Sequence, residues 1–370
     1  MMMKKNEMIT PMQLAFILYP TVMATGFLAL PSLAASYAPY DFWMIGLVVL
    51  GTGILSVAAA TSLHARFPRM TVVECSERIL GKALGKIIGM LYFLNLVHVT
   101  GVVSREYAEF VKNNFLIKTP MMLVIVLMLL LVSNAVRGGV SVIAKSALIF
   151  TTCFVFPLIF LLLLLPDLEW GNVLPFMSHG IVPVLKASAV PQSWVSELFL
   201  INFFLPYVSD SKAGMKWGYI ALSAVSVSMV LINLIVLLVL GLDTSNKAYP
   251  ILVAFRYISI GGFFENLEAL LLVMWVAGNF VKLTVFLYAT VTAFSQCFGV
   301  TDFRTVVLPI AVLASVFSIW DLPNFSVMQQ LLVKVGTFET PLFMNVIPLL
   351  LLLVAWLTGR KSADDGGVGG

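Results

Sequence analysis

The chain has 370 residues, 60% of them apolar and only 11% charged, with a mean hydropathy of +1.02. A soluble domain carries about 25% charged residues, so this composition excludes a soluble globular fold and describes an all-α polytopic membrane protein. The net charge of +4 follows the loops, no basic patch interleaved with aromatics suggests nucleic acid, and the three scattered cysteines (Cys75, Cys153, Cys297) have no metal or disulfide spacing.

Apolar runs predict ten membrane spans, at about 12–35, 42–64, 87–111, 119–136, 141–165, 186–208, 216–241, 264–296, 305–321 and 342–358. Lys4 and Lys5 lead into the first run, and no small-residue cleavage site ends a short apolar core, so the start reads as a cytoplasmic lead and not a signal peptide. Of the 22 lysines and arginines, fourteen fall on the side of the N-terminus and six on the other, while Arg105 and Lys282 lie within spans. The positive-inside rule then places both termini in the cytoplasm. Residues 1–361 form a single transmembrane domain on this reading, and 362–370, rich in Gly and Asp, a disordered tail.

The first span carries Ala24-Thr25-Gly26-Phe27-Leu28-Ala29-Leu30-Pro31. Gly and Pro are both poor in a helix interior, and broken backbone at membrane depth is tolerated where it lines a cavity or is buried in protein. The stretch therefore reads either as an interrupted helix whose bare amides and carbonyls face a small polar ligand, or as a proline kink with tight packing. After the second span, Thr71-Val72-Val73-Glu74 has the pattern of a capping box and predicts a short amphipathic helix ending at Gly81, along the membrane surface.

In the third span, Asn95 and His98 are neighbours on one face, suited either to a ligand or to a helix–helix contact. Arg105, Glu106 and Glu109 close that span and read as an interfacial ion cluster. The sixth span has a breaker, Pro191, in its first half and a carboxylate, Glu197, at its centre. Intramembrane carboxylates cost a few kcal/mol to insert and generally mark function. Glu265 and Glu268 open the eighth span, where acidic groups suit the positive helix end. Lys282 lies mid-span; it can neutralise Glu197, occupy a cation position, or snorkel to the interface.

Spans one and six, and three and eight, begin about 175 residues apart, and interrupted segments at matched positions point to an inverted-repeat transporter fold with its site at the midplane. The repeats would run over about 12–165 and 186–358. No nucleophile–base pair, metal set, phosphate loop or cofactor motif is visible, so the chain reads as a non-enzyme.

Several motifs carry a resemblance. Gly26-x-x-x-x-Pro31, Asp41-x-Trp43, the run Arg66-Phe67-Pro68-Arg69-Met70-Thr71-Val72-Val73-Glu74, Ile79 to Gly89, Arg105-Glu106-Tyr107, Phe264 to Leu270, Trp275, Phe280-Val281-Lys282 and Tyr288 resemble the B subunits of bacterial endospore germinant receptors, the GerAB-like spore permeases. The loop after the second span is the most specific part. Tyr40, Ser141 and Lys145 depart from the family pattern, which tends to Arg, Glu and Arg there.

The resemblance implies a fold of the amino acid–polyamine–organocation superfamily (LeuT/APC type), ten helices in a five-plus-five inverted repeat with broken helices 1 and 6. Carried over by position, Thr25, Gly26 and Phe27 form the helix-1 part of a ligand pocket, Ser193, Ser196 and Glu197 the helix-6 part, with His98 and Thr284 from helices 3 and 8. Glu197 and Lys282 would couple to charge. It further implies nutrient sensing, of an amino acid above all, in the spore inner membrane beside an A subunit and a lipoprotein C subunit. A proton-coupled amino-acid transporter is the alternative, and a structural subunit or passive conduit for water or ions a third.

Overall fold

A computed structural model describes residues 7–258 and 267–361. Among these residues the chain is helical, with one isolated strand-like bridge between Ile9 and Val208. Among the described residues seven helices are long and apolar enough to cross a membrane, and two shorter apolar ones accompany them.

Helix α1 (Pro11–Ala35) opens with Pro11 in its first turn and the Gln13 side chain accepting from the Thr10 N–H at 2.8 Å. The span Phe42–Arg66 starts as a turn and continues as α2 (Leu50–Arg66). The surface helix α3 (Val72–Leu80) begins at the expected capping box, where the Thr71 N–H meets Glu74 Oε2 at 3.1 Å, and ends at Gly81 with φ 86°. Its apolar face, Val72, Val73, Cys75 and Ile79, is buried. It lies against α4 (Lys82–Asn114) so closely that a Cβ on Gly85 would fall 2.2 Å from Glu77 Cα.

Two further helices, α5 (Met121–Arg137) and α6 (Val140–Val155), follow, the latter running on as a 3-10 stretch over Phe156–Asp167. The sixth segment is made of pieces: α7 (Val182–Ala187), α8 (Ala189–Ser196), then 3-10 turns over Glu197–Phe203 and Leu205–Tyr207. Helix α9 (Ser211–Leu240) is capped by Asp210, and the short α10 (Pro250–Tyr257) precedes α11 (Glu268–Phe298) and α12 (Val307–Trp320). The last span, Phe325–Leu357, holds α13 (Phe325–Leu331), α14 (Thr337–Pro341) and α15 (Ile347–Leu357), joined by single π turns at Leu332–Gly336 and Leu342–Val346.

Burial ranks these elements. The apolar windows of α1 and α11 are 83% and 78% buried inside the protein, against 28% for Val140–Asp167, so α1 and α11 form the centre and the fifth span faces lipid.

Three expectations change. Helix 1 is not broken: α1 remains α-helical through Gly26, Pro20 and Pro31. The missing N–H of Pro31 leaves one carbonyl without its ladder partner, a local cost that packing on every side outweighs. Helix 6 is broken, but at Glu197, where α geometry gives way to 3-10; Pro191 sits in the first turn of α8, where proline is tolerated. The last span starts at Phe325, not near 342, because Gln329, Gln330, Lys334 and Glu339 depress the apolar signal of its first half. The discontinuity of the sixth segment, Val182–Tyr207, agrees with the expected broken helix 6. Glu265 and the tail 362–370 lie outside the described residues, whereas Glu268 pairs with Arg256 at 2.6 Å.

Candidate functional site

The break in the sixth segment sits beside the centre of α11. A 3-10 run as long as Glu197–Phe203 is uncommon, and mid-helix 3-10 geometry often marks a functional hinge. Its first residue, Glu197, is 3% exposed and meets Lys282, which is fully buried. Lys282 Nζ donates to Glu197 Oε2 at 2.7 Å, to Oε1 at 3.0 Å, and to Thr25 Oγ1 at 2.9 Å. The ammonium also stands 5.6 Å from the centre of the Phe286 ring. One cation thus ties α1, the unwound sixth segment and α11 together, with its three protons directed at three oxygens. The two charges neutralise one another, the condition under which a buried ion pair is tolerable.

Next to this clamp is a cleft of about 30 Å³. A water needs about 10–15 Å³ on this measure, so the space holds roughly two. Ser193, Trp194, Glu197 and Lys282 form one wall; His98 and Glu106 of α4 form the second; Leu332, Gly336, Glu339 and Thr340 of the last span close it. The Glu106 carboxylate accepts no hydrogen bond from the described residues.

At the cleft's far end, His98 stands between two carboxylates. Its Nε2 lies 2.8 Å from Asp321 Oδ2 and its Nδ1 3.5 Å from Glu339 Oε1, and Glu339 also accepts from Asn95 Nδ2 at 2.8 Å. Glu339 lies between the two π turns, a kind of irregularity common at functional sites. The first part of the last span rests on a small apolar cluster of its own, Val102, Leu322, Met328 and Leu332, separate from the main core.

The structure therefore gathers Thr25, Glu197 and Lys282 in direct contact and places Ser193 and His98 along the cleft. The other candidates are held elsewhere. Gly26 allows close approach of α8: a Cβ there would sit 3.2 Å from Trp194 Cε3. Phe27 packs edge-on to Phe154 at 5.5 Å. The Ser196 and Thr284 hydroxyls donate to backbone carbonyls of their own segments, Ser193 and Phe280, at 2.6 Å each, and neither borders the cleft.

The expected outer ion cluster splits. Arg105 and Glu109, one turn apart, pair at 2.6 Å, while Glu106 turns into the cleft. Helical spacing carries that signal: Glu106 shares a face with Val102 and Val99, and Arg105 with Glu109. Trp194, Glu339 and Thr340 were not among the sequence candidates; the latter two lie in the part of the last span whose polarity hid it.

Fold and site together define an α-helical, multi-pass membrane protein with a buried cation–carboxylate clamp at the unwound point of one span. Its backbone matches that of the nucleobase–cation-symport-1 transporter MHP1, solved closed with bromovinylhydantoin bound, at a TM-score of 0.64 and 15% identity, over 94% of this chain and 76% of that one. MhsT in complex with L-phenylalanine matches at 0.65 and 14%, over 94% and 98%. At such identities the likeness is one of fold. The chain belongs to the spore permease family, whose model, described as spore germination protein, matches residues 8–326. Relatives in Bacillus subtilis (strain 168) include spore germination protein KB, 26% identical over 343 residues (90% of this chain, 91% of that protein), and spore germination protein A2, 24% identical over 310 residues (81% and 83%).

Proposed function

We propose that this chain is the B subunit of a spore germinant receptor, binding a small nutrient, an amino acid above all, in the cleft beside Lys282 and signalling to A and lipoprotein C partner subunits. The observation that carries the reading is the Lys282–Glu197–Thr25 clamp at the point where the sixth segment leaves α geometry, with the unbonded Glu106 carboxylate across the cleft. A zwitterion suits such a pair: its ammonium faces Glu106, and its carboxylate competes with Glu197 for Lys282. Charge-assisted contacts of this kind are the stronger hydrogen bonds.

Room for two waters is too little for an amino acid, so the arrangement described is a closed one. Opening requires the first part of the last span to move, and its two π turns and separate apolar footing favour that segment. Ligand then binds the open arrangement better and shifts the population toward it. The partner subunits would read the shift in the spore inner membrane, with both termini on the cytoplasmic side and repeats over about 12–165 and 186–358.

The second reading is proton-coupled uptake of an amino acid, favoured by the buried Glu197–Lys282 pair. Uptake of labelled amino acid by proteoliposomes holding this chain alone supports it; a nutrient response that requires partner subunits supports the receptor. Binding itself is tested by thermal unfolding of the purified protein against a panel of amino acids and sugars, since a ligand held by the native state raises the midpoint. An amino acid should raise it in the native chain and not in Glu106→Gln; a sugar as the stabilising ligand, or an undiminished rise in the variant, refutes the assignment.

A further inference from the structure

Helices α2 and α9 run antiparallel and touch through glycines. A Cβ on Gly53 would fall 2.2 Å from Leu222 Cδ1, and one on Gly218 would fall 3.0 Å from Val57 Cγ1. Past Gly218, toward the C-terminal end of α2 and the start of α9, the two helices part around a crevice of about 180 Å³. Its floor is apolar, from Leu205 and the half-exposed Met215; its polar lining includes His64, Ser62 and the exposed Lys212.

His64 is the unexplained group. It is 8% exposed, it makes no hydrogen bond to any described residue, and its Nδ1 is fully enclosed without a partner. Buried polar groups are nearly always bonded, and a ring with no partner in the described protein has its other nitrogen, Nε2, left for a ligand in the crevice that His64 lines. The neighbouring polar groups are already committed. Thr61 Oγ1 donates to the Val57 carbonyl at 2.7 Å. The Asp210 carboxylate takes the amides of Lys212 and Ala213 at 3.0 and 3.2 Å, so the start of α9 offers no free anion cradle. Arg66 is spent on the Ala355 and Arg360 carbonyls at 2.6 and 2.8 Å. That leaves the Ser62 hydroxyl, the imidazole of His64 and the Lys212 ammonium, with Lys216 one turn further along the exposed face of α9.

We propose that this crevice binds the headgroup phosphate of an anionic phospholipid. The phosphate would bridge the His64 ring and Lys212, and the glycerol and acyl chains would leave over Leu205 and Met215 into the bilayer. Place and composition both favour a lipid. The crevice opens where the C-terminal end of α2, which carries Arg66, meets the start of α9, which carries Lys212 and Lys216, and basic pockets between membrane helices suit anionic heads. A purely aqueous anion would have no use for the apolar floor.

The test is native mass spectrometry of the full-length protein released from detergent, titrated with phosphatidylglycerol, phosphatidylcholine or inorganic phosphate. Phosphatidylglycerol should be retained and phosphatidylcholine not. Lys212→Gln, an exposed position whose change leaves folding intact, should weaken retention about fivefold, the contribution of one lysine beside an anionic surface. His64→Phe should weaken it as well, and Lys112→Gln, at the far end of α4, should leave it unchanged. Equal retention of the two lipids, an equal loss in Lys112→Gln, or displacement of the lipid by equimolar inorganic phosphate overturns the proposal, the last by showing a small-anion site.

Discussion

Replacing Lys282 by Met keeps most of the length of the side chain and removes its charge. Glu197, 3% exposed, then loses both of its short contacts, at 2.7 and 3.0 Å, and Thr25 loses its donor. Breaking a buried pair by removing one partner costs about 3–5 kcal/mol, whereas replacing both partners by apolar groups of similar volume is near neutral. Glu197→Leu alone strands a fully buried ammonium and should cost a similar amount. The double variant, Lys282→Met with Glu197→Leu, should recover most of the loss. The double-mutant cycle should therefore give a coupling of at least about 2 kcal/mol, well above the 0.3–0.5 kcal/mol scatter of independent sites. The readout is the thermal unfolding midpoint of purified protein in detergent. At about 2 °C per kcal/mol for a chain of this size, each single variant falls by roughly 6–10 °C, and the double variant by a few degrees. Losses that simply add would refute the clamp, because two groups that do not interact cannot rescue one another.

Other consequences follow from close contacts. Gly26→Ala places a methyl group 3.2 Å from the Trp194 ring, which must give by a few tenths of an ångström; strain of about 1–3 kcal/mol should lower the unfolding midpoint and raise the nutrient concentration needed for germination, and an unchanged dose–response separates Gly26 from the site. Gly85→Ala meets backbone instead, 2.2 Å from Glu77 Cα and 2.5 Å from its nitrogen; membrane-inserted protein should fall sharply on immunoblots, and normal amounts would show that α3 and α4 can separate. His98→Leu releases Glu339 and Asp321, at a cost of up to about 1 kcal/mol for pairs that remain partly exposed. Amide exchange over Phe325–Pro341 should then quicken about fivefold while α1 and α11 stay protected; equal acceleration everywhere would mean that His98 supports the whole bundle and not the last span.

Membrane residence, the order of spans and the surface helix at Thr71–Gly81 were legible in the chain because each rests on a local rule: solvation of apolar side chains, the length of a bilayer-crossing helix, and a cap whose two partners lie three residues apart. The lone carboxylate of Glu197 and the lone ammonium of Lys282 could be singled out for the same reason, since a charge in a hydrocarbon-length run is costly wherever it ends up. That the two meet, and that Thr25 completes the set, depended on three segments 85 and 257 residues apart in sequence coming together, which no local pattern encodes. Tertiary packing likewise decided that Gly26 and Pro31 lie in an unbroken helix, because burial on all sides compensates one lost backbone bond, and that the unwinding falls at Glu197, where a partner charge holds the altered turn. It also turned Glu106 away from its neighbours Arg105 and Glu109 and drew Glu339 from a seemingly polar loop into the wall of the cleft. A sequence can declare which groups must be satisfied; the folded bundle alone determines which group satisfies which.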